Sequence, residues 1–244
     1  MKVSWFSAGV SSAVATKLSS PDLIIYNPVA DMHPDTERFI KDCEMWFGKK
    51  VTRLSGRVST VEEACRLSAC ITIPNSFTAC TKHLKISVRK AWEAQNLGSH
   101  VYVWGLDKKE VGRAESLVSR DPYNEHIFPL IDNGISKQEA HAILQKAGIK
   151  RPSMYAEGFP NANCLGCVRG GMGYWNKIRR EYPAVFASRA KLERLIGHSI
   201  LKEGFLDELN PNRGRKLKPI VQECGAMCEI VESLPDTGED KGGR

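Results

Sequence analysis

The first 150 residues alternate short β-rich runs with stretches of helix length, and this constrains the chain more than any other feature. Runs 2–6, 23–26, 51–54 and 101–104 are rich in β-branched and aromatic residues, and each enters a turn signal. Helical patterns at 11–18, 34–47, 60–67 and 82–95 separate them. Strands spaced by helices favour parallel pairing, because the helix supplies the crossover. The expected fold class is therefore α/β, a Rossmann-like parallel sheet with flanking helices over residues 1–150. Pro34-Asp35-Thr36-Glu37 reads as a helix start, with proline early and acids in the first turn.

After Arg120 the texture changes. Asp121-Pro122 and Phe128-Pro129 punctuate a loop, and 136–147 is a helix stopped by Gly148. A Gly-, Asn- and Pro-rich segment at 158–173 carries a cysteine pair, and 174–196 is apolar-periodic with a break at Pro183. A mainly helical, Cys-bearing region is thus expected over 151–232, followed by a disordered tail at 233–244.

No apolar stretch approaches the roughly 20 residues that span a bilayer, and residues 2–9 are too short and polar for a signal peptide. The chain is expected to be cytoplasmic, without a membrane partner. In a reducing compartment its eight cysteines point to metal binding, redox chemistry or packing, not to a disulfide framework. A formal charge of +7 suits a phosphate-rich ligand, either nucleotide or nucleic acid. The densest basic run, 213–218, is short and reads as a solvated loop.

The first strand runs into Ser7-Ala8-Gly9-Val10-Ser11-Ser12 and then a helix. Small residues let backbone N–H groups converge on an anion, and the helix N-terminus adds its dipole and unpaired donors. Gly9 is expected to permit the tight backbone, while the hydroxyls of Ser7, Ser11 and Ser12 add donors. A plain strand-to-helix turn capped by serine would look alike.

This segment resembles the SGGxDS loop of the PP-loop ATP pyrophosphatases and of phosphoadenosine phosphosulfate (PAPS) reductases. Ala8 replaces the first glycine, and Ser11 stands at the family's aspartate, which helps organise the metal-bound phosphates. Further segments resemble the family in order: Asp31-Met32-His33-Pro34-Asp35-Thr36, Ala79 to Lys85, then Gly105, Glu110 and Arg113, then Phe128-Pro129-Leu130-Ile131. The resemblance covers roughly residues 3 to 200. It implies an adenine nucleotide, PAPS or ATP with Mg, held by residues 7–12 with Asp31, Gly105 and Arg113, and a catalytic Lys85 aimed at phosphate or sulfate. Read alone, Lys85 is one exposed lysine of an amphipathic helix. His33 and Asp35 equally form a helix cap, and Arg113 equally pairs with Glu110 or Asp107.

Cys164-Leu-Gly-Cys167 and Cys224-Gly-Ala-Met-Cys228 both have knuckle spacing, so the four sulfurs suit zinc or an iron–sulfur cluster. Cys43, Cys65 and Cys70 read as buried small apolar residues. Cys80 precedes Cys164 at a separation resembling the cluster motif of adenylyl-sulfate reductases, but Ala79 stands where that motif has another cysteine. Glu223-Cys224-Gly225 resembles the catalytic-thiol motif of sulfonucleotide reductases, with Met227 at its histidine. Cys224 is therefore a candidate for either nucleophile or ligand, which are different states of one sulfur.

Two reactions follow from the resemblance. Either a thiol attacks the sulfur of an adenylyl sulfate, with a thioredoxin-like reductant as partner, or ATP adenylates an acceptor. The rival expectation is a non-catalytic module that binds nucleotide or nucleic acid around a structural metal.

Overall fold

One five-stranded parallel sheet organises the computed structural model, which describes residues 1–72 and 78–222. Cys224, Cys228 and the 233–244 tail lie outside the described residues. Strands β1 (Lys2–Phe6), β2 (Leu23–Tyr26), β3 (Thr52–Arg53), β4 (Val101–Val103) and β5 (Glu125–Ile127) are ordered β3-β2-β1-β4-β5. Every neighbouring pair is parallel, and Val3 lies opposite Leu23 on one side and Tyr102 on the other. The expected α/β, Rossmann-like sheet is therefore the observed fold. Strand β5 escapes the sequence pattern because Glu-His-Ile has no apolar alternation; its pairing with β4 makes it a strand.

The chain moves outward from β1 through β2 to β3, then crosses back to β4 on the far side of β1. Connections leaving in opposite directions open a crevice beyond the carboxyl ends of the two central strands, β1 and β4.

Alternation along the strands builds two cores. Phe6, Ile24, Tyr26 and Val103 face a cluster formed with α1 (Val10–Ser19), α2 (Thr36–Phe47) and α8 (Lys137–Lys146). Val3, Ile25 and Tyr102 pack on the other face against Trp92 of α5 (Ser87–Gln95). Ser4, a polar residue within β1, is tolerated because its hydroxyl meets Thr16 Oγ1 at 2.6 Å, and Thr16 donates onward to the Ser12 carbonyl.

Local chemistry sets the helix starts. Thr60 and Glu63 form a capping box on α3 (Val61–Ser68), as do Ser136 and Glu139 on α8. Helix α2 starts at Thr36 with Asp35 as its N-cap residue, so Pro34 lies outside the helix it was expected to open. Asp35 turns its carboxylate to Arg38 and to the Ser153 N–H, which anchors the segment after α8. The pattern at 82–95 divides into a π-helical turn (Lys82–Ile86) and α5. A helix between β4 and β5, α6 (Val111–Arg120), carries Arg113.

The helical pattern at 174–196 breaks at Pro183 as expected, into α10 (Met172–Glu181) and α11 (Pro183–Ile196), with the proline opening the second. They enclose a further core around Trp175, Ile178 and Leu206. Cys43 and Cys65 are buried as expected, whereas Cys70 is half-buried. Among the described residues no helix is long and apolar enough to cross a membrane.

His141 of α8 is 1% exposed, edge-on to Tyr155, and neither ring nitrogen has a hydrogen-bond partner. Burial, aided by the positive charges of Arg151 and Lys137, lowers its pKa from 6.5 to about 3. An unfolded chain takes up this proton near pH 6.5 while the folded one refuses it, so folding weakens as pH falls below 6.5. The slope reaches about 1.4 kcal/mol per pH unit. His141→Leu is expected to flatten the profile between pH 6.5 and 4, read as urea midpoints. Parallel profiles for the two proteins would refute the assignment.

Candidate functional site

The turn between β1 and α1 stands at the mouth of the β1–β4 crevice. Its six residues alternate: Ser7 is exposed and Gly9 and Ser11 are half-buried, while Ala8, Val10 and Ser12 point inward. The Ser12 hydroxyl organises the turn. The amides of Ser7 and Gly9 point at it from 3.2 and 3.3 Å, Ser7 Oγ lies 2.9 Å away, and Ser12 donates to the Gly9 carbonyl. Ser12 thus shapes the loop, leaving Ser7 and Ser11 as the accessible hydroxyls.

Gly9, contrary to expectation, is not the residue that permits the tight backbone. Gly9 has φ −110° and ψ 161°, extended backbone open to any residue, and an added Cβ would meet nothing closer than Ser7 Oγ at 3.6 Å. Ala8 carries the demanding conformation, with φ +55°. That is the position where the resembled loop has its first glycine, and an L-residue there costs roughly 1–2 kcal/mol. The turn therefore keeps its shape without the glycine, at the expense of local strain.

Gly105, just beyond β4, closes the other wall. A Cβ on it would lie 2.4 Å from Ser12 Cα and 2.6 Å from Ser12 N. Backbone cannot yield as a flexible side chain can, so only glycine lets the end of β4 meet the start of α1. Close approach, not a turn, is what this glycine serves.

Residues 155–167 lie as a strap along the carboxyl edge of the sheet. Lys137 donates to the Pro160 carbonyl and to Asn161 Oδ1, both at 2.6 Å. Tyr155 is buried with its phenol oxygen toward the backbone of Val10 and Ala162. On the β2 side, the Leu165 N–H donates to the Asp31 carbonyl at 2.8 Å, and Cys164 Sγ lies 3.6 Å from Met32 Sδ.

Asp31 is fully engaged within the protein. One carboxylate oxygen accepts from the Val61 N–H at the start of α3, and the other pairs with Arg189 of α11. Arg189 is 3% exposed and also donates Nε–H to the Gly166 carbonyl inside the Cys164–Cys167 turn. Tyr174 completes that turn, its hydroxyl accepting from the Cys167 N–H at 2.9 Å and donating to the Cys164 carbonyl. Gly166 provides the left-handed corner at φ +70°. Neither Arg189 nor Tyr174 stands out in the sequence, since their partners are far away or lie in irregular backbone.

The thiols occupy a defined electrostatic setting. Burial pushes Cys164 up to about 12 and raises Cys167. The Lys85 ammonium pulls both down, and Cys80 lies close enough to act on each. Lys85, exposed on the π-helical turn, therefore flanks the Cys164–Cys167 turn. Arg113 is 68% exposed and ion-paired to Glu110, one of the alternatives its helical spacing left open. Among the described residues no group of three or more His, Cys, Asp or Glu is placed to hold a metal ion.

No family model and no curated protein matches this sequence. Solved structures that match include a PAPS reductase from Candida auris in a phosphate complex. It is 12% identical, the match covers 67% of this chain and 81% of that one, and the TM-score is 0.48. A match at that level assigns no residue here, so the site stands on its own geometry.

Removing Arg189 would leave the Asp31 carboxylate paired only with an amide and free the cysteine turn. Arg189→Leu is expected to cost about 1–3 kcal/mol in urea unfolding, the usual effect of removing one partner of a hydrogen-bonded polar pair. Adding Asp31→Asn should restore part of that loss. Strictly additive losses in the double variant would show that the two side chains act independently.

Proposed function

We propose that this chain is an adenine-nucleotide-binding enzyme of the PAPS-reductase-like, PP-loop kind, with the nucleotide phosphates at residues 7–12. One observation carries the reading: a helix-opening turn of small residues lies at the β1–β4 crevice, pressed against Gly105 so closely that a methyl group has no room. Unpaired amides and the dipole at the start of α1 favour an anion there. Ser7, Gly9 and Ser11 face the ligand, and Ala8, Val10 and Ser12 hold the turn. Gly105 forms the opposite wall. Asp31 serves the site indirectly, by fixing the loop after β2. Arg113 reaches a phosphate only by exchanging Glu110 for it.

The preferred reaction is sulfonucleotide reduction. An enzyme thiolate attacks the sulfonate sulfur of an adenylyl sulfate, an S–S bond forms, and the S–O bond to the nucleoside phosphate breaks. A second thiol, from a thioredoxin-like reductant, then displaces sulfite and leaves a disulfide. Burial keeps Cys164 and Cys167 protonated at neutral pH, which makes them poor attackers. Cys224 is the proposed nucleophile, and Lys85 the cation that meets the sulfonate or phosphate oxygens.

The alternative reaction, Mg-dependent adenylation of an acceptor by ATP, is favoured by those same inert thiols, which suit a structural role. A zinc or iron–sulfur centre would take Cys164 and Cys167 together with Cys224 and Cys228, since the described residues make no such site by themselves. Metal content and the visible spectrum of anaerobically purified protein test it.

Calorimetric titration with ATP and PAPS tests the nucleotide site. Gly9→Val is expected to weaken binding at least about a hundredfold, or about 2.7 kcal/mol. The extended backbone and open space at Gly9 keep the fold intact, and valine as a poorer helix N-cap should lower the melting temperature by only a few degrees. Equal binding by both proteins would place the site elsewhere. Sulfite release from PAPS with a thiol supports reduction, pyrophosphate release from ATP supports adenylation, and binding with neither product supports a non-catalytic module.

A further inference from the structure

Tyr102 donates its hydroxyl proton to Glu93, Tyr182 to Glu157 and Tyr174 to the Cys164 carbonyl. Tyr155 differs. It is 4% exposed, yet among the described residues its hydroxyl meets only donors, the N–H groups of Val10 and Ala162. A phenol oxygen accepts through its lone pairs and has one proton to give. The two amides occupy the accepting side, so the O–H remains to donate outward. Burial pushes this phenol up to about 12, and it keeps its proton at neutral pH.

The ring is held in place from several sides. His141 lies edge-on to it with centroids 4.4 Å apart, and the Arg151 guanidinium stands over it at 5.9 Å. The backbone of Tyr155 bonds to Pro152 and Gly158, and Ser153 of the same turn is anchored on Asp35. Val10 is the first residue of α1, a ten-residue helix, so an oxygen on its N–H lies at the open end of that helix. Tyr155 thus brings a buried, proton-bearing hydroxyl to a place where the helix dipole favours negative charge.

We infer that Tyr155 is a binding residue of the β1–α1 turn, its hydroxyl donating to a phosphate oxygen of the bound nucleotide. This rests on the nucleotide reading and adds to it a donor that lies outside the turn and outside every motif in the sequence. The Val10 N–H donates to the phenol oxygen and the phenol donates to the anion, so each bond polarises the next. The Ala162 N–H holds the same oxygen from the strap and keeps the hydroxyl in line. Donation to a charged oxygen is the stronger kind of hydrogen bond, which favours the phosphate over a neutral group.

Tyr155→Phe keeps the ring and its packing and removes only the oxygen. Its ATP affinity is expected to fall about tenfold, as loss of one charge-assisted hydrogen bond does. Adenosine, which carries no phosphate, should bind both proteins alike. Equal ATP affinities, or an equal loss for adenosine, would overturn the inference, because a hydroxyl that only braces the strap treats the two ligands the same. The variant also leaves two amides without their acceptor, so the wild-type full-length chain labelled with [ζ-¹³C]tyrosine and ¹⁵N supplies a second measurement. Its Tyr155 resonance should shift saturably with ATP, over the concentrations that shift the Gly9 amide, and stay still with adenosine. A Tyr155 resonance unmoved by ATP while the Gly9 amide responds would overturn the inference and leave the nucleotide site standing. Absence of both responses would end the nucleotide reading at residues 7–12 and this inference with it.

Discussion

The ion pair between buried Arg189 and half-buried Asp31 ties together parts of the chain that share no secondary structure. Through Asp31 it fixes the loop after β2 and the start of α3; through Arg189 it fixes α11 and the Cys164–Cys167 turn. Burying the guanidinium is costly, and attraction to Asp31 offsets that cost only when the remaining donors and acceptors are also used. Here the carboxylate accepts from a backbone amide and the guanidinium donates to a backbone carbonyl, so the pair is locked into its surroundings. This network holds the cysteine turn at the carboxyl edge of the sheet together with the apolar packing of Cys164 and Leu165.

The β1–α1 turn shows a different economy. Two small residues do work that their letters do not announce: Ala8 accepts a left-handed conformation, and Gly105 admits a backbone. Gly9, the residue that looks structural, is the one with conformational and spatial freedom. Strain at a non-glycine residue persists only where the surroundings over-determine it. Ala8 is 1% exposed within the main core, and the convergence of Ser7 and Gly9 on the Ser12 hydroxyl locks the neighbouring residues.

The thiols lie under opposing influences. Burial holds Cys164 and Cys167 in the protonated form, while Lys85 favours their thiolates. Desolvation dominates because the sulfurs lie within packed segments, whereas the ammonium on its exposed π-helical turn spends much of its field on water. Anything that brings Lys85 closer or binds the sulfurs directly would shift that balance toward the thiolate.

The α/β class, the parallel sense of the sheet, the bounds of α1, α3 and α8 to within a residue, and the strand–turn–helix at residues 2–19 are all legible in the sequence. These depend on local periodicity, capping and turn chemistry, which act over a few residues and are written in order. Strand β5 lay outside its reach because three residues without alternation become a strand only when β4 supplies the partner. Arg189, Tyr174 and the strict need for Gly105 lay outside it too. Each acts on backbone far away in the chain, as Arg189 does across 158 residues to Asp31. Tertiary structure alone decided these roles, because burial and close approach belong to pairs of segments, and a single segment carries no record of its partner.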